Sequence, residues 1–291
     1  MPRGIPKNGY RKIRTAKTDK MAKIMNVTQP SEPVIVETDE EIEQKLTDRF
    51  EILSDMTNAA IDGDVRALIV SGPAGLGKSF TVEKALESWD PNATFHRIVK
   101  GYVKAPALFK LLYQHRSRGS VLVFDDADDV FLDETAISLL KAALDTNDKR
   151  IISYMTEGTL IDEESAERLP KSFQFEGTVI FISNIDFDTM IERGSRLAPH
   201  LSALVSRAHY IDLAMKTQRD YLIRIRQVVK QGLLKNIGLD DNAQADVLNF
   251  IEKNATRLRE LSLRMALKIG TLRRKNDGLW IKRAIVTCCK N

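Results

Sequence analysis

Residues 67–89 place a β-branched apolar run, Ala67-Leu68-Ile69-Val70, directly before the glycine-rich turn G-P-A-G-L-G-K-S and an amphipathic helical stretch at about 78–89. A buried strand feeding a helix through such a turn is half of a βαβ unit, so this segment commits the chain to an α/β fold with a parallel sheet. Three glycines, Gly72, Gly75 and Gly77, allow backbone angles and close approaches that a Cβ would block. The amides of such a loop converge at a helix N-terminus, where the dipole favours negative charge, and together they form an anion cradle.

Residues 72–79 match the full Walker A pattern, and each residue type has a physical task. The Lys78 ammonium is placed to reach the outer phosphates of a nucleoside triphosphate, and the Ser79 hydroxyl to ligate magnesium. Gly72, Pro73, Ala74, Gly75, Leu76, Gly77, Lys78, Ser79 and Phe80 are therefore expected to hold ATP together with Mg2+.

Three more runs share the strand character of 67–70: Thr94–Val99, Val121–Phe124 and Val179–Ile182. Helical patterns at about 39–61, 105–117 and 134–145 lie before and between them, and Ile151–Tyr154 adds a short strand or hairpin. The third run continues into Asp125 and Asp126, which puts carboxylates at the carboxyl edge of the sheet beside the glycine-rich loop. Asp125 is the expected magnesium partner, through water, and Asp126 is placed to polarise an attacking water. After Tyr210–Leu213 the β signal stops, and 217–235, 241–254 and 256–275 read as three helices. The expected organisation is a basic arm (1–33), an α/β nucleotide-binding domain (34–213) and a helical domain (214–291).

With these elements in order, residues 40–275 resemble the AAA+ ATPases, compact members encoded by phages and mobile elements in particular. The resemblance implies a parallel αβα core followed by a small all-α lid, ATP hydrolysis as the activity, and a homo-oligomer, hexameric by family default. It makes Asn184, which ends V-I-F-I-S-N, the polar sensor that orients the lytic water, although a strand-terminal Asn is also a common turn former. It makes Arg207, in L-V-S-R-A-H-Y, the arginine finger that reaches a neighbour's γ-phosphate, with Arg193 and Arg196 as substitutes. Arg259, in R-L-R-E-L-S-L-R, becomes the lid arginine that contacts nucleotide in cis, with Arg264 second. One departure matters: the family's usual acid after the magnesium aspartate is glutamate, and Asp126 is one methylene shorter.

Charge suggests what such a motor acts on. Residues 1–24 carry eight Lys and Arg against Asp19, and residues 37–51 reverse the sign with seven acids. A flexible cationic arm gains affinity for DNA through phosphate contacts and counterion release. DNA bound through this arm is the expected partner, and a solubilising tail is the plain alternative. Tyr102, in K-G-Y-V-K, is placed to grip a protein client under a different reading, and a nucleotide-gated DNA scaffold with slow turnover is a third. No apolar run approaches the ~20 residues that span a bilayer. The adjacent Cys288 and Cys289 suit a reducing cytoplasmic compartment.

Overall fold

The computed structural model describes residues 37–162, 166–275 and 277–290. The basic arm expected to carry DNA lies outside the described residues, and Asp39–Asn291 forms one compact unit.

Helix α1, Asp39–Asp62, opens with Asp39, Glu40 and Glu41 in its first turn, where the positive end of the helix dipole favours acids. It buries Ile42, Leu46, Phe50, Leu53 and Ala60 along one stripe, as the three- and four-residue spacing requires. Five strands form a wholly parallel sheet: β1 (Ala67–Ser71), β2 (His96–Lys100), β3 (Val121–Asp125), β6 (Thr178–Ser183) and β7 (His209–Asp212). Their order is β2-β3-β6-β1-β7. The three central strands are buried at every position, whereas edge strand β2 is fully buried only at His96. Strand β2 starts two residues later than its apolar run predicts. The Asp90 carboxylate accepts the amides of Phe95 (2.6 Å) and His96 (3.2 Å), which holds the chain before His96 in a turn.

Helices α2 (Lys78–Trp89), α3 (Ala105–Gln114) and α4 (Glu134–Ala143) connect these strands. One apolar cluster packs α3, α4 and the hairpin on one face of the sheet, and a second packs α1 and α2 on the other. The hairpin pairs β4 (Arg150–Ser153) with β5 (Ser172–Phe175) antiparallel. Ser172–Phe175 offers only Phe173 and Phe175 to the core, too short an alternation to identify a strand from sequence. Two short helices, α5 (Phe187–Glu192) and α6 (Ala198–Val205), follow β6 and were likewise not predicted.

Among the described residues, the C-terminal segment holds four α-helices where the periodicity predicts three: α7 (Gln218–Lys230), α8 (Asp241–Lys253), α9 (Leu263–Arg274) and α10 (Trp280–Cys288). The last predicted helix, 256–275, begins seven residues late. Ser262 caps it by accepting the Met265 amide at 3.1 Å, and Leu258 instead bridges Cys289. These helices share a third apolar cluster running from Ile225 to Cys289. Helix α7 joins the two bodies, because Ile223 packs with the sheet-side cluster and Ile225 with the helical one. No helix among the described residues is long and apolar enough to cross a membrane.

Candidate functional site

The loop after β1 and the N-terminus of α2 open into a cavity of about 800 Å³, walled by α1, the loop, α7 and α9. Its glycines are demanded by geometry. Gly77 caps α2 at φ +99, a left-handed conformation. Gly75 sits at φ +76, and a Cβ there would stand 2.7 Å from the Ser262 Cβ. That near-contact lets the lid touch the loop backbone directly: the Leu263 amide donates to the Gly75 carbonyl at 2.9 Å.

Lys78 is buried, and its ammonium donates to the carbonyls of Gly72 and Pro73 and to Asn184 Oδ1 (3.0 Å). Burial pushes its pKa down to about 8, against the opposing pull of Asp126, Asp125 and Asp128. Ser79 Oγ donates to Asp125 Oδ1 at 2.8 Å. This hydroxyl–carboxylate pair of hard oxygens fits magnesium, which takes one or two protein oxygens and completes its shell with phosphate and water. No cluster of three or more His, Cys, Asp or Glu among the described residues offers an all-protein metal cage.

Asn184 lies at the centre of the site. Its Nδ2 donates to Asp126 Oδ1 at 2.6 Å while its Oδ1 accepts from Lys78, so one amide spans both groups. Asp126 occupies the left-handed region at φ +54, and its amide donates to the Ile182 carbonyl at 3.0 Å. Asp128 accepts from Ser183 Oγ (2.6 Å) and from the Asn184 amide (3.3 Å), which anchors the strand end that carries Asn184. Burial raises the Asp128 pKa above the ordinary carboxylate value, and its two hydrogen bonds oppose the shift.

The structure thus brings Lys78, Ser79, Asp125, Asp126 and Asn184 into one site. Phe80 borders the cavity and is 69% exposed. Arg207, at the end of α6, donates to the Ala203 carbonyl at 2.7 Å and does not line this cavity. Of its substitutes, Arg196 pairs with Glu134 at 3.3 Å, and Arg193 ends α5. Arg259 is not brought to the cavity. It precedes the Ser262 cap, is exposed, and its amide donates to the Cys288 carbonyl, whereas Arg264 in the first turn of α9 lines the wall.

Two residues of the site escaped sequence reading. Lys100, grouped with the Tyr102 loop by sequence, pairs with Asp125 at 3.2 Å and Glu83 at 2.6 Å. Buried Arg224 on α7 stacks 3.4 Å from the Phe50 ring centroid, approaches the Leu76 carbonyl at 3.4 Å and bonds Gln227 at 2.7 Å. Gln227 in turn donates to Thr47 on α1 at 2.6 Å. Burial pushes the Arg224 pKa down to about 10. Neither residue has a local signature, since each acts through contacts distant in sequence.

A parallel sheet ordered β2-β3-β6-β1-β7, with the loop between β1 and α2, acids at the end of β3, Asn at the end of β6 and a helical lid behind, is a P-loop nucleotide-binding fold arranged as the resemblance to the AAA+ proteins implies. No family model matches the chain. It is 36% identical over 248 residues, 84% of this chain and 75% of the relative, to the "Uncharacterized 36.7 kDa protein in nrdC-mobD intergenic region" of Enterobacteria phage T4, and it belongs to the family of that phage protein. Among solved structures it is similar to the RuvB Holliday junction branch migration motor of Thermotoga maritima, at 15% identity and a TM-score of 0.46 over 86% of this chain and 69% of that one. NtrX from Brucella abortus in complex with ATP is similar at 14% identity and a TM-score of 0.43, over 81% of this chain and 50% of that one.

Proposed function

We propose that this chain binds ATP with magnesium, hydrolyses it as a homo-oligomer, and applies the cycle to DNA. The observation that carries the reading is the Asn184 amide, which touches Lys78 at one end and Asp126 at the other. Lys78 supplies charge to the outer phosphates, and Ser79 with Asp125 would hold magnesium, which neutralises phosphate charge when bound. Asp126 accepts the proton of the attacking water, and Asn184 keeps water, carboxylate and ammonium in line. The short Asp126 side chain is matched here by direct contact with Asn184. Arg264 reaches the nucleotide from the lid of the same chain. Arg207, outside its own chain's cavity, serves a neighbour's, and this requires the oligomer. DNA is assigned through the basic segment 1–24.

Steady-state ATP hydrolysis, with and without DNA, for the full chain and for a chain lacking residues 1–24 tests the reading. Stimulation by DNA that disappears with the segment is expected. Hydrolysis indifferent to DNA in both would overturn the DNA assignment and favour a protein client. That second reading draws on Tyr102, 68% exposed beside Lys104, whose ammonium lies 5.9 Å from the ring centroid.

A further inference from the structure

The distribution of charge along the sequence is strongly uneven. Residues 25–252 carry 25 Lys and Arg against 37 Asp and Glu, whereas residues 253–290 carry 11 against two, Glu260 and Asp277. A stretch this basic following an acidic one of more than 200 residues is an electrostatic feature with a direction. Some of its cations have structural work: Arg273 pairs with Asp246 at 2.9 Å, and Arg283 pairs with Asp277.

Three others are arranged differently. The segment before α9 and the segment after α10 meet as a short antiparallel ladder, in which Leu258 bridges Cys289. The Arg259 amide donates to the Cys288 carbonyl at 2.9 Å, and the Lys290 amide donates to the Arg257 carbonyl at 2.7 Å. Leu258 and Cys289 are buried in the helical core, so the flanking Arg257, Arg259 and Lys290 are left on the outer side, and all three are exposed. Arg257 and Lys290 are cross-strand neighbours, and Arg259 follows two residues along. Among the described residues, no acid pairs with any of the three side chains. Like charges opposed across a ladder destabilise it. A polyanion that draped its charges over the ladder would reverse that sign.

We propose that this ladder is a nucleic-acid backbone contact, with Arg257, Arg259 and Lys290 each facing a phosphate. Exposed cations carried on paired backbone segments suit the regular charges of a nucleic-acid strand, and they supply affinity without base specificity. The contact is separate from the N-terminal segment and does not depend on ATP hydrolysis, so it can fail or hold independently of the function proposed above. It gives the lid, the part of the unit that also walls the nucleotide cavity, a hold of its own on the strand.

The test is fluorescence anisotropy of labelled single-stranded and duplex oligonucleotides, without nucleotide, over a series of salt concentrations. Wild type, the double variant Arg257→Gln/Lys290→Gln, the chain lacking residues 1–24, and the combination of the two are compared. ATP affinity and thermal midpoint are measured alongside to show that the double variant is folded. The expected result is that the slope of log affinity against log salt becomes shallower by about 2 in the double variant, in the presence or absence of residues 1–24. Adding Arg259→Gln should take off about one more. An unchanged slope in the folded double variant overturns the proposal. So does a wild-type chain that binds anionic lipid vesicles or an acidic peptide but no oligonucleotide.

Discussion

The sheet-side wall and the lid-side wall of the nucleotide cavity are held by different means. On the sheet side, strand ends fix the backbone and side chains pair with one another: Ser79 with Asp125, Asn184 with Lys78 and Asp126, Asp128 with Ser183. On the lid side, position depends on where helices begin and on long-range contacts, such as Leu263 to the Gly75 carbonyl and Arg224 to Phe50. A wall whose groups satisfy each other is preorganised for chemistry. A wall attached at a few points can move while the chemistry stays in place. Substitutions on the two sides should therefore separate catalysis and phosphate binding from lid closure.

The largest effect is expected at Lys78. Lys78→Ala should lower nucleotide affinity and hydrolysis on the order of 10²–10³-fold, the scale of losing one preorganised charge donor. A fluorescent ATP analogue titrated into both proteins checks the first, and phosphate release the second. The pH dependence gives a sharper signature. Because burial depresses this lysine from 10.5 to about 8, its ammonium and the nucleotide affinity it supports should fade above about pH 8. Between the folded and unfolded values the unfolded chain binds more protons, so this group's contribution makes stability rise with pH over the same window. Affinity falling while this contribution to stability rises would be the mark of Lys78. Affinity that holds steady to pH 10 would show that burial has not depressed this lysine.

Asp128→Asn tests whether the sheet-side wall acts as a unit. Its carboxylate touches the strand end that carries Asn184 and does not line the nucleotide cavity. Misplacing Asn184 should reduce kcat roughly 10- to 100-fold, as small misalignments of reacting groups do, with nucleotide affinity unchanged. A parallel loss of both would mean Asp128 supports the loop and not the sensor.

The lid-side counterpart compares two arginines. Arg264→Ala should weaken nucleotide binding about tenfold, somewhat less than a buried charge-assisted contact is worth, because the side chain is exposed. Arg259→Ala should leave that affinity within about twofold. The reverse ranking would require the lid to rotate until the segment before α9 faces the cavity.

These two arginines also mark where sequence reading stopped. The P-loop and the acids after β3 were legible because each sits at the end of a buried apolar run, where alternation of strand and helix dictates its place; Asn184 ends another such run, and the family resemblance singled it out. Arg259 was preferred to Arg264 because R-L-R-E-L-S-L-R resembles the lid helix of the AAA+ family, and the spacing from 256 onward reads as one helix. Nothing local announces that Leu258 leaves that register to pair with Cys289. Ser262 is a plain N-cap signal in hindsight, but the capping rule competes with periodicity, and tertiary pairing decides between them. Arg224 and Lys100 were illegible for the same reason: their partners lie 148 and 25 residues away in sequence.

The smallest effect is the most direct probe of how the two walls meet. Ser262→Ala removes the side-chain acceptor for the Met265 amide and should cost about 1 kcal/mol of stability, read by chemical denaturation. Gly75→Ala should cost more, because φ +76 disfavours alanine and the new Cβ meets the Ser262 Cβ. Ser262→Gly removes that Cβ and, as a glycine at an N-cap, costs only a few tenths of a kcal/mol by itself. In the double variant the steric part of the Gly75→Ala penalty should be relieved while the φ part remains, giving a favourable coupling. Additive effects would mean that the lid normally stands away from the loop. A coupling of about 1 kcal/mol would mean that Ser262 presses on Gly75 in the folded protein, and that the glycine is needed for the lid as well as for phosphate.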